Sequence, residues 1–457
     1  MVHLLIGEWF TRLWTFQEVV LSRRAVILCG DSSLDMDEFL DFIVVGRYRL
    51  FCFPFPLPDH TSGVKPHWNE CRSLRIYHRK RSTSGEGLDA KAVPLLLDNV
   101  RHRQMKEQVD RIWAVFGLFH PHLQDQLASL VDYSDTARQE HWRTFAGCLK
   151  IVVRESASFD LLEFSGQSGP RNGHLPSWCP NFIDDTVQRG YIFGMWNREI
   201  NKQRNVVQTL LIAEDDKKAY ERWSSIEYHH KKDISTTKSD YTLRVRGFLV
   251  DTIVEVVQDM HLIDVRDGIE NFDSYGPGIE NPIIVATVNW ESQSLDLARR
   301  VYHGENGSDE DVPPEYIMAL CTDCRINENC DEAYRNAISS LTTVDWHASN
   351  KLEPRQLSQE SHFWGHLTSM AGHPSFSTKG GRFGVATPGC KPGDRVCMFY
   401  GGHPLYIMRW PTTDANTDAE HDKLPAEFVG TAFIPHLMEP HQSEAARLAP
   451  DEIFIIG

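Results

Sequence analysis

The chain has 457 residues, of which 41% are hydrophobic and 24% charged, and its formal charge is −16. That length suits about two or three domains, and the composition is that of a folded globular protein. The acidic excess excludes a general nucleic-acid surface built on phosphate neutralisation and electrostatic docking to anionic membrane. No stretch reaches the ~20 apolar residues of a membrane span. His3-Leu4-Leu5-Ile6 is too short for a signal segment, and ten cysteines in so long a chain read as reduced thiols of a cytoplasmic protein.

Trp9 to Gly30 is the densest segment. Leu13, Trp14, Gln17, Glu18 and Leu21 fall on neighbouring turns of one helix, and Ala25 to Cys29 reads as a short buried strand leaving through a Gly30-Asp31 turn. The unit is expected to be buried with Trp14 in the core, and Glu18 to pair with Arg12 or cap a nearby backbone, because an unsatisfied buried carboxylate is costly. Ser32-Ser33 is placed to cap a helix through Val45, with Leu34, Phe39, Phe42 and Ile43 on its apolar face. Residues 51–66 read as an irregular crossing and 78–91 as a basic, exposed loop. Val93 to Phe119 has the pattern of one helix closed by Gly117 and Pro121, and Asp135 to Ser156 that of a long amphipathic helix using Trp142, Phe145, Leu149, Val152 and Val153. Leu175 to Phe182 carries two prolines around Trp178, which is expected to fill a gap in a core.

Residues 191–241 are polar and predict a partly disordered linker. Thr242 to Val257 alternates as a strand, with Gly247 suggesting a bulge. Helical patterns follow at 283–301, 314–320, 330–341 and 357–371, and short strands at 383–386, 395–400, 404–409 and 427–434. Each set of strands is too small to bury a face alone. The 242–257 strand is therefore expected to pair with the later ones, with the helices about 283–371 as an insertion.

Little of the chain has the spacing of a catalytic or metal motif. Cys321-x-x-Cys324-x5-Cys330 supplies three soft ligands where a zinc site needs four, so no metal is expected. There is no phosphate-binding glycine loop, no His-Glu-x-x-His and no Gly-x-Ser-x-Gly. No cofactor is expected.

Five blocks, in order, resemble a known family. Trp9-Phe10-x-Arg12-x-Trp14-x-x-Gln17-Glu18 is followed by Val109-Asp110-Arg111-Ile112-Trp113-Ala114-Val115-Phe116-Gly117-Leu118. Then come Val131-Asp132-Tyr133-Ser134, Leu175-Pro176-Ser177-Trp178-Cys179-Pro180, and finally Gly381-Arg382-Phe383 with Lys391-Pro392-Gly393-Asp394-Arg395-Val396. This order is similar to that of the fungal heterokaryon-incompatibility domain family. The family's earlier blocks, Tyr-x-Trp-Gly and Cys-Ile-Asn-Gln, do not precede Trp9, so the resemblance covers the tail of the signature domain and the region after it.

The resemblance implies a mixed α+β chain. Residues 1–50 would be the remnant of an α/β domain like the TIR domain, 51–190 a helical region packed on it, and 242–457 a small C-terminal β module with a helical insertion. It implies Trp9, Arg12, Trp14, Gln17 and Glu18 as motif residues and Trp113, Gly117, Trp178, Gly393 and Asp394 as structural ones. It implies nonself recognition or programmed cell death signalling in the cytoplasm, through protein partners, without nucleic acid, membrane span or metal. The alternatives are a remnant that does not signal and an NAD glycohydrolase. In the latter, Glu18, four residues after Trp14, resembles the glutamate of TIR enzymes and would be catalytic, stabilising an oxocarbenium-like transition state.

Overall fold

The computed structural model describes residues 8–41, 71, 75, 87–101, 103–156, 159–165, 175–182, 242–257, 282–304, 312–321, 332, 334–336, 338, 370, 373–399, 404–411, 425–435, 437 and 452–457. The chain divides into two compact units, Met1–Ser158 with Asn181–Thr186, and Phe159–Pro180 with Val187–Gly457. Helices and strands are both present, so the fold is mixed α+β.

In the first unit, α1 (Glu8–Thr11) and α2 (Leu13–Leu21) are separated by Arg12, whose extended backbone (φ −71, ψ 141) ends one helix and caps the next. Leu13, Thr15, Phe16, Val19 and Val20 form the buried face of α2. Each of the large apolar ones contributes roughly 1.5–3 kcal/mol on burial. Arg75 closes the C-terminus of this helix. Its guanidinium, 1% exposed, donates to the carbonyls of Val19 and Ser22 and to Ser22 Oγ, and pairs with Asp37 at 2.6 Å.

The strand expected to be buried is not. Among the described residues β1 (Val26–Cys29) pairs only with β2 (Ser32–Asp35), in a two-stranded antiparallel hairpin, and most of it is exposed. Gly30, at φ 58, supplies the left-handed turn residue. The apolar run Val-Ile-Leu-Cys was therefore no guide to burial, since Val26, Leu28 and Cys29 are exposed. The helix capped by Ser32-Ser33 is also corrected. Those serines are strand residues, and the described helix begins at Met36, where Asp35 Oδ1 accepts the Asp37 N–H at 2.8 Å. Phe39 and Leu40 are buried; Phe42, Ile43 and the basic 78–86 segment lie outside the described residues.

Two long helices are in fact broken. After a 3-10 turn at Ala90–Ala92, the 93–119 stretch becomes α3 (Val93–Val100), α4 (Asp110–Trp113) and a 3-10 turn at Phe116–Leu118. The break at 101–109 is held by tertiary bonds. Arg111 Nη1 donates to the carbonyls of Val100 (2.8 Å) and Arg103 (3.3 Å). Gln104 forms a parallel bridge to α1–α2, accepting from Leu13 N at 2.9 Å and donating to Thr11 O at 2.8 Å. After α5 (Pro121–Ala128), the next segment splits at Glu140 (φ −107, ψ 36) into α6 (Asp135–Gln139) and α7 (His141–Ser156). Phe145, Leu149, Val152 and Val153 are buried as their spacing implied, while Trp142 is half-buried.

The second unit centres on an antiparallel sheet in the order β4-β5-β8-β7-β6-β3-β9, which β4–β3 pairing closes into a six-stranded ring with β9 added. The strands are β3 (Leu243–Val257), β4 (Ser375–Thr378), β5 (Phe383–Ala386), β6 (Arg395–Phe399), β7 (Leu405–Arg409), β8 (Glu427–Phe433) and β9 (Glu452–Ile456). The 15-residue β3 spans the ring. One edge pairs with β6, and the other with β9 through 243–247 and with β4 through 253–257. The expected pairing of 242–257 with later strands is thus present, joined by two strands, β4 and β9, that the pattern did not show.

The bulge is not at Gly247. Register shifts lie between Leu249 and Asp251 and between Ile253 and Glu255, whereas Gly247 lets β6 approach, since a Cβ there would sit 2.2 Å from Met398 O. Ile253, Phe376, Val396, Leu405 and Ile407 pack inside the ring. Between β3 and β4 come α8 (Pro282–His303) and α9 (Pro314–Cys321), which cover β4 and β5 with Trp290, Leu297, Ile317 and Leu320 against Phe383, Val385 and Phe433. The 332–338 part of the expected 330–341 helix is helical where described; 357–369 lies outside the described residues.

Candidate functional site

Two of the expected motif residues on α2, Trp14 and Gln17, reach the broken segment beside it. Trp14, expected in the core, is half-buried, and its indole N–H donates to Asp110 Oδ2 at 3.1 Å. Asp110, only 8% exposed, receives a second bond at Oδ1 from the Tyr133 hydroxyl at 2.8 Å. One turn on, Gln17 Oε1 accepts the Gly117 backbone N–H at 2.8 Å. A Cβ on Gly117 would come 3.0 Å from that same oxygen, so glycine leaves room for the bond. Thr15 Oγ1 lies within 2.9 Å of Trp9 O and 2.7 Å of Arg12 O, holding α1 to α2. The Arg103 guanidinium stacks 4.9 Å over Phe16 and donates to Arg12 O; burial lowers its pKa to about 10.

Chemically this hub is an acceptor with both oxygens engaged. Burial and the Asp110 carboxylate, with Glu107 nearby, push the Tyr133 phenol above its ordinary range, so it stays a donor. Glu18 stands apart. It is exposed, and its side chain makes no hydrogen bond or ion pair among the described residues. The expected Glu18–Arg12 pair is not formed, because Arg12 precedes the helix and its side chain is also exposed. Trp9, another motif residue, is 39% exposed.

The other expected structural residues hold turns and cores. Trp113 is buried. Trp178 is fully buried, its carbonyl accepting from Ser165 Oγ at 2.6 Å. Beside it, Ser177 binds Gly457 O through its N–H (2.8 Å) and accepts the Phe428 N–H (2.8 Å). Gly393 takes φ 93 in the turn before β6, where Asp394 accepts from Lys391 N (2.7 Å) and from two nitrogens of Arg409 (2.8 Å each).

Sequence reasoning quoted Asp110 and Tyr133 inside motifs but gave them no role, since 96 residues separate Trp14 from Asp110. It missed a second buried group altogether. Glu291 on α8 is 6% exposed and accepts from the Tyr334 hydroxyl, while Tyr316 donates to its backbone carbonyl. Burial raises the Glu291 pKa. The available signal was polar Thr287 and Ser294 sharing its helix face, but that pattern reads equally as a solvated stripe.

Among the described residues, no group of three His, Cys, Asp or Glu is placed to hold a metal ion, and no helix is long and apolar enough to cross a membrane. The side chains of Cys321, Cys324 and Cys330 lie outside the described set. In comparisons with known proteins, no family model, no curated protein and no solved structure matches this chain.

Proposed function

We propose that this chain acts in nonself recognition or cell-death signalling, through contacts with other proteins in the cytoplasm of a fungal cell, in the manner of the heterokaryon-incompatibility family it resembles. The observation that supports the reading is the meeting of Trp14 and Gln17 with Asp110, Gly117 and Tyr133. These five residues come from three separate blocks that carry the resemblance.

The chemistry favours contact over turnover. Both Asp110 oxygens accept bonds from neutral donors and Tyr133 keeps its proton, so neither is poised as a base. NAD cleavage by Glu18 would need a carboxylate held against the substrate and shielded from water, and Glu18 is exposed. Induced expression in a filamentous fungus tests the reading by colony viability. Wild type should reduce viability, Glu18→Gln should do so equally, and Asp110→Ala should not. Incubation of purified protein with NAD should release no nicotinamide above the Glu18→Gln control. Glu18-dependent nicotinamide release would overturn the contact reading in favour of the enzyme.

A further inference from the structure

The β1–β2 hairpin leaves one edge of β1 open. Alternate residues of a strand turn both backbone groups toward the same neighbour. The Ala25 carbonyl accepts from Met36 N at 3.0 Å, so Ala25, Ile27 and Cys29 face β2, in the register Ile27↔Leu34 and Cys29↔Ser32. Val26 and Leu28 must then turn their N–H and C=O groups to the opposite edge. Among the described residues no strand pairs there. Val26 and Leu28 also share one face, where they are 44% and 76% exposed. The strand carries no proline, lysine or bulge to discourage pairing.

We propose that this edge is a self-association surface, occupied by β1 of a second copy of the chain running antiparallel across a two-fold axis. Ile27 of each copy lies on the axis. Val26 of one copy exchanges two backbone hydrogen bonds with Leu28 of the other, and the symmetry repeats them. The side chains of Val26 and Leu28 then meet as two cross-strand apolar pairs on the exposed face.

Charge selects this occupant and this direction. Exposed Arg23 and Arg24 precede β1, and exposed Asp31 follows it. Such a segment is complementary to its own reverse. Antiparallel pairing centred on Ile27 brings Arg24 and Arg23 level with Gly30 and Asp31 of the second copy, whereas parallel pairing would set like charges side by side. On β2 the residues that turn their backbone groups to the outer edge are Ser33 and Asp35, which lack this apolar and charge pattern. A contact of one strand pair falls below the about 1,200 Å² of stable interfaces, so the dimer is concentration-dependent. The proposal goes beyond the signalling reading, since its test reads mass and cross-linking rather than viability.

Sedimentation velocity of the full chain over about a hundredfold range of concentration should show a monomer–dimer equilibrium. Leu28→Lys should weaken dimerisation by about tenfold or more, with melting unchanged, because the side chain is exposed. Val26→Pro, which deletes only an outward N–H, should do the same. In a Cys29→Ser background, oxidised Ile27→Cys should form a covalent dimer. A non-hydrogen-bonded antiparallel pair places its Cα atoms about 4.5 Å apart, within disulfide reach. Leu28→Cys should not cross-link, being offset from its counterpart by two residues. A monomer at every concentration, a dimer indifferent to Leu28→Lys, or equal cross-linking at 27 and 28 would each overturn the proposal.

Discussion

Replacing Asp110 tests the reasoning about the hub most directly. In Asp110→Ala the Trp14 indole and the Tyr133 hydroxyl lose their shared acceptor. Hydrogen bonds to a charged group contribute about 1.5–3 kcal/mol each. Trp14 is half-buried and Tyr133 is 39% exposed, so water recovers part of each, and the net loss should be about 2–4 kcal/mol. Asp110→Asn should cost only about 1 kcal/mol, because the amide oxygen can accept from Trp14 while the amide nitrogen donates to the Tyr133 oxygen. The chain has two units, so global unfolding is not a two-state measure. Native-state hydrogen exchange of α2 and α4 amides is the suitable assay, and Asp110→Ala should speed it by roughly 30-fold to 1,000-fold. If Asn proves as damaging as Ala, Asp110 acts through its charge rather than as a two-sided acceptor. If both cost under about 0.5 kcal/mol, the hub does not hold the segments together.

Three further outcomes follow from the geometry. Arg75→Ala leaves the carbonyls of Val19 and Ser22 and the Asp37 carboxylate without their shared donor, and should cost about 3 kcal/mol, read as lost exchange protection in α2; Arg75→Lys, without the planar fork, should recover little. Buried His373, bonded to Ala386 O at 3.1 Å, has its pKa lowered by burial to about 4. The unfolded chain therefore binds the extra proton between about pH 6.5 and 4, so this stability is full above 6.5 and is lost as pH falls through 4. The loss amounts to about 3 kcal/mol, and His373→Asn should remove that part of the pH dependence of β4–β5 exchange. Gly247→Ala should clash with Met398 O and cost about 2–3 kcal/mol, seen as selective loss of protection across β3 and β6; an unchanged exchange pattern would show that the strands shift apart freely.

Local pattern was enough for much of the second unit. Alternation marked β3, β5, β6, β7 and β8 to within a residue or two, and the apolar period marked α8 and α9, because residues that pack on one face repeat at the spacing of their own element. It was also enough for α2 and for the buried face of α7. It failed where long-range bonds override propensity. The 93–119 stretch has a helical period throughout, yet Arg103 and Gln104 donate to the distant carbonyls of Arg12 and Thr11, Arg111 donates across the break to Val100, and the helix is interrupted. Val26 to Cys29 has the composition of a buried strand, but burial depends on what lies above it, and that is a property of the assembled unit. β4 was missed because Ser375, Ser377 and Thr378 are buried polar residues, and the partner of the Ser375 hydroxyl, Ser294 on α8, is 81 positions away.

The candidate site divides in the same way. Trp14, Gln17, Asp110, Gly117 and Tyr133 were each visible as residues of recognisable blocks. Which of them touch could not be read, because hydrogen bonds join atoms in space and the blocks stand about a hundred positions apart. The tertiary structure made Asp110 the shared acceptor and left Glu18, the residue that looked most like a catalyst, in solvent. An amphipathic sequence determines which faces of an element can be buried; only the packed chain decides which polar groups have partners.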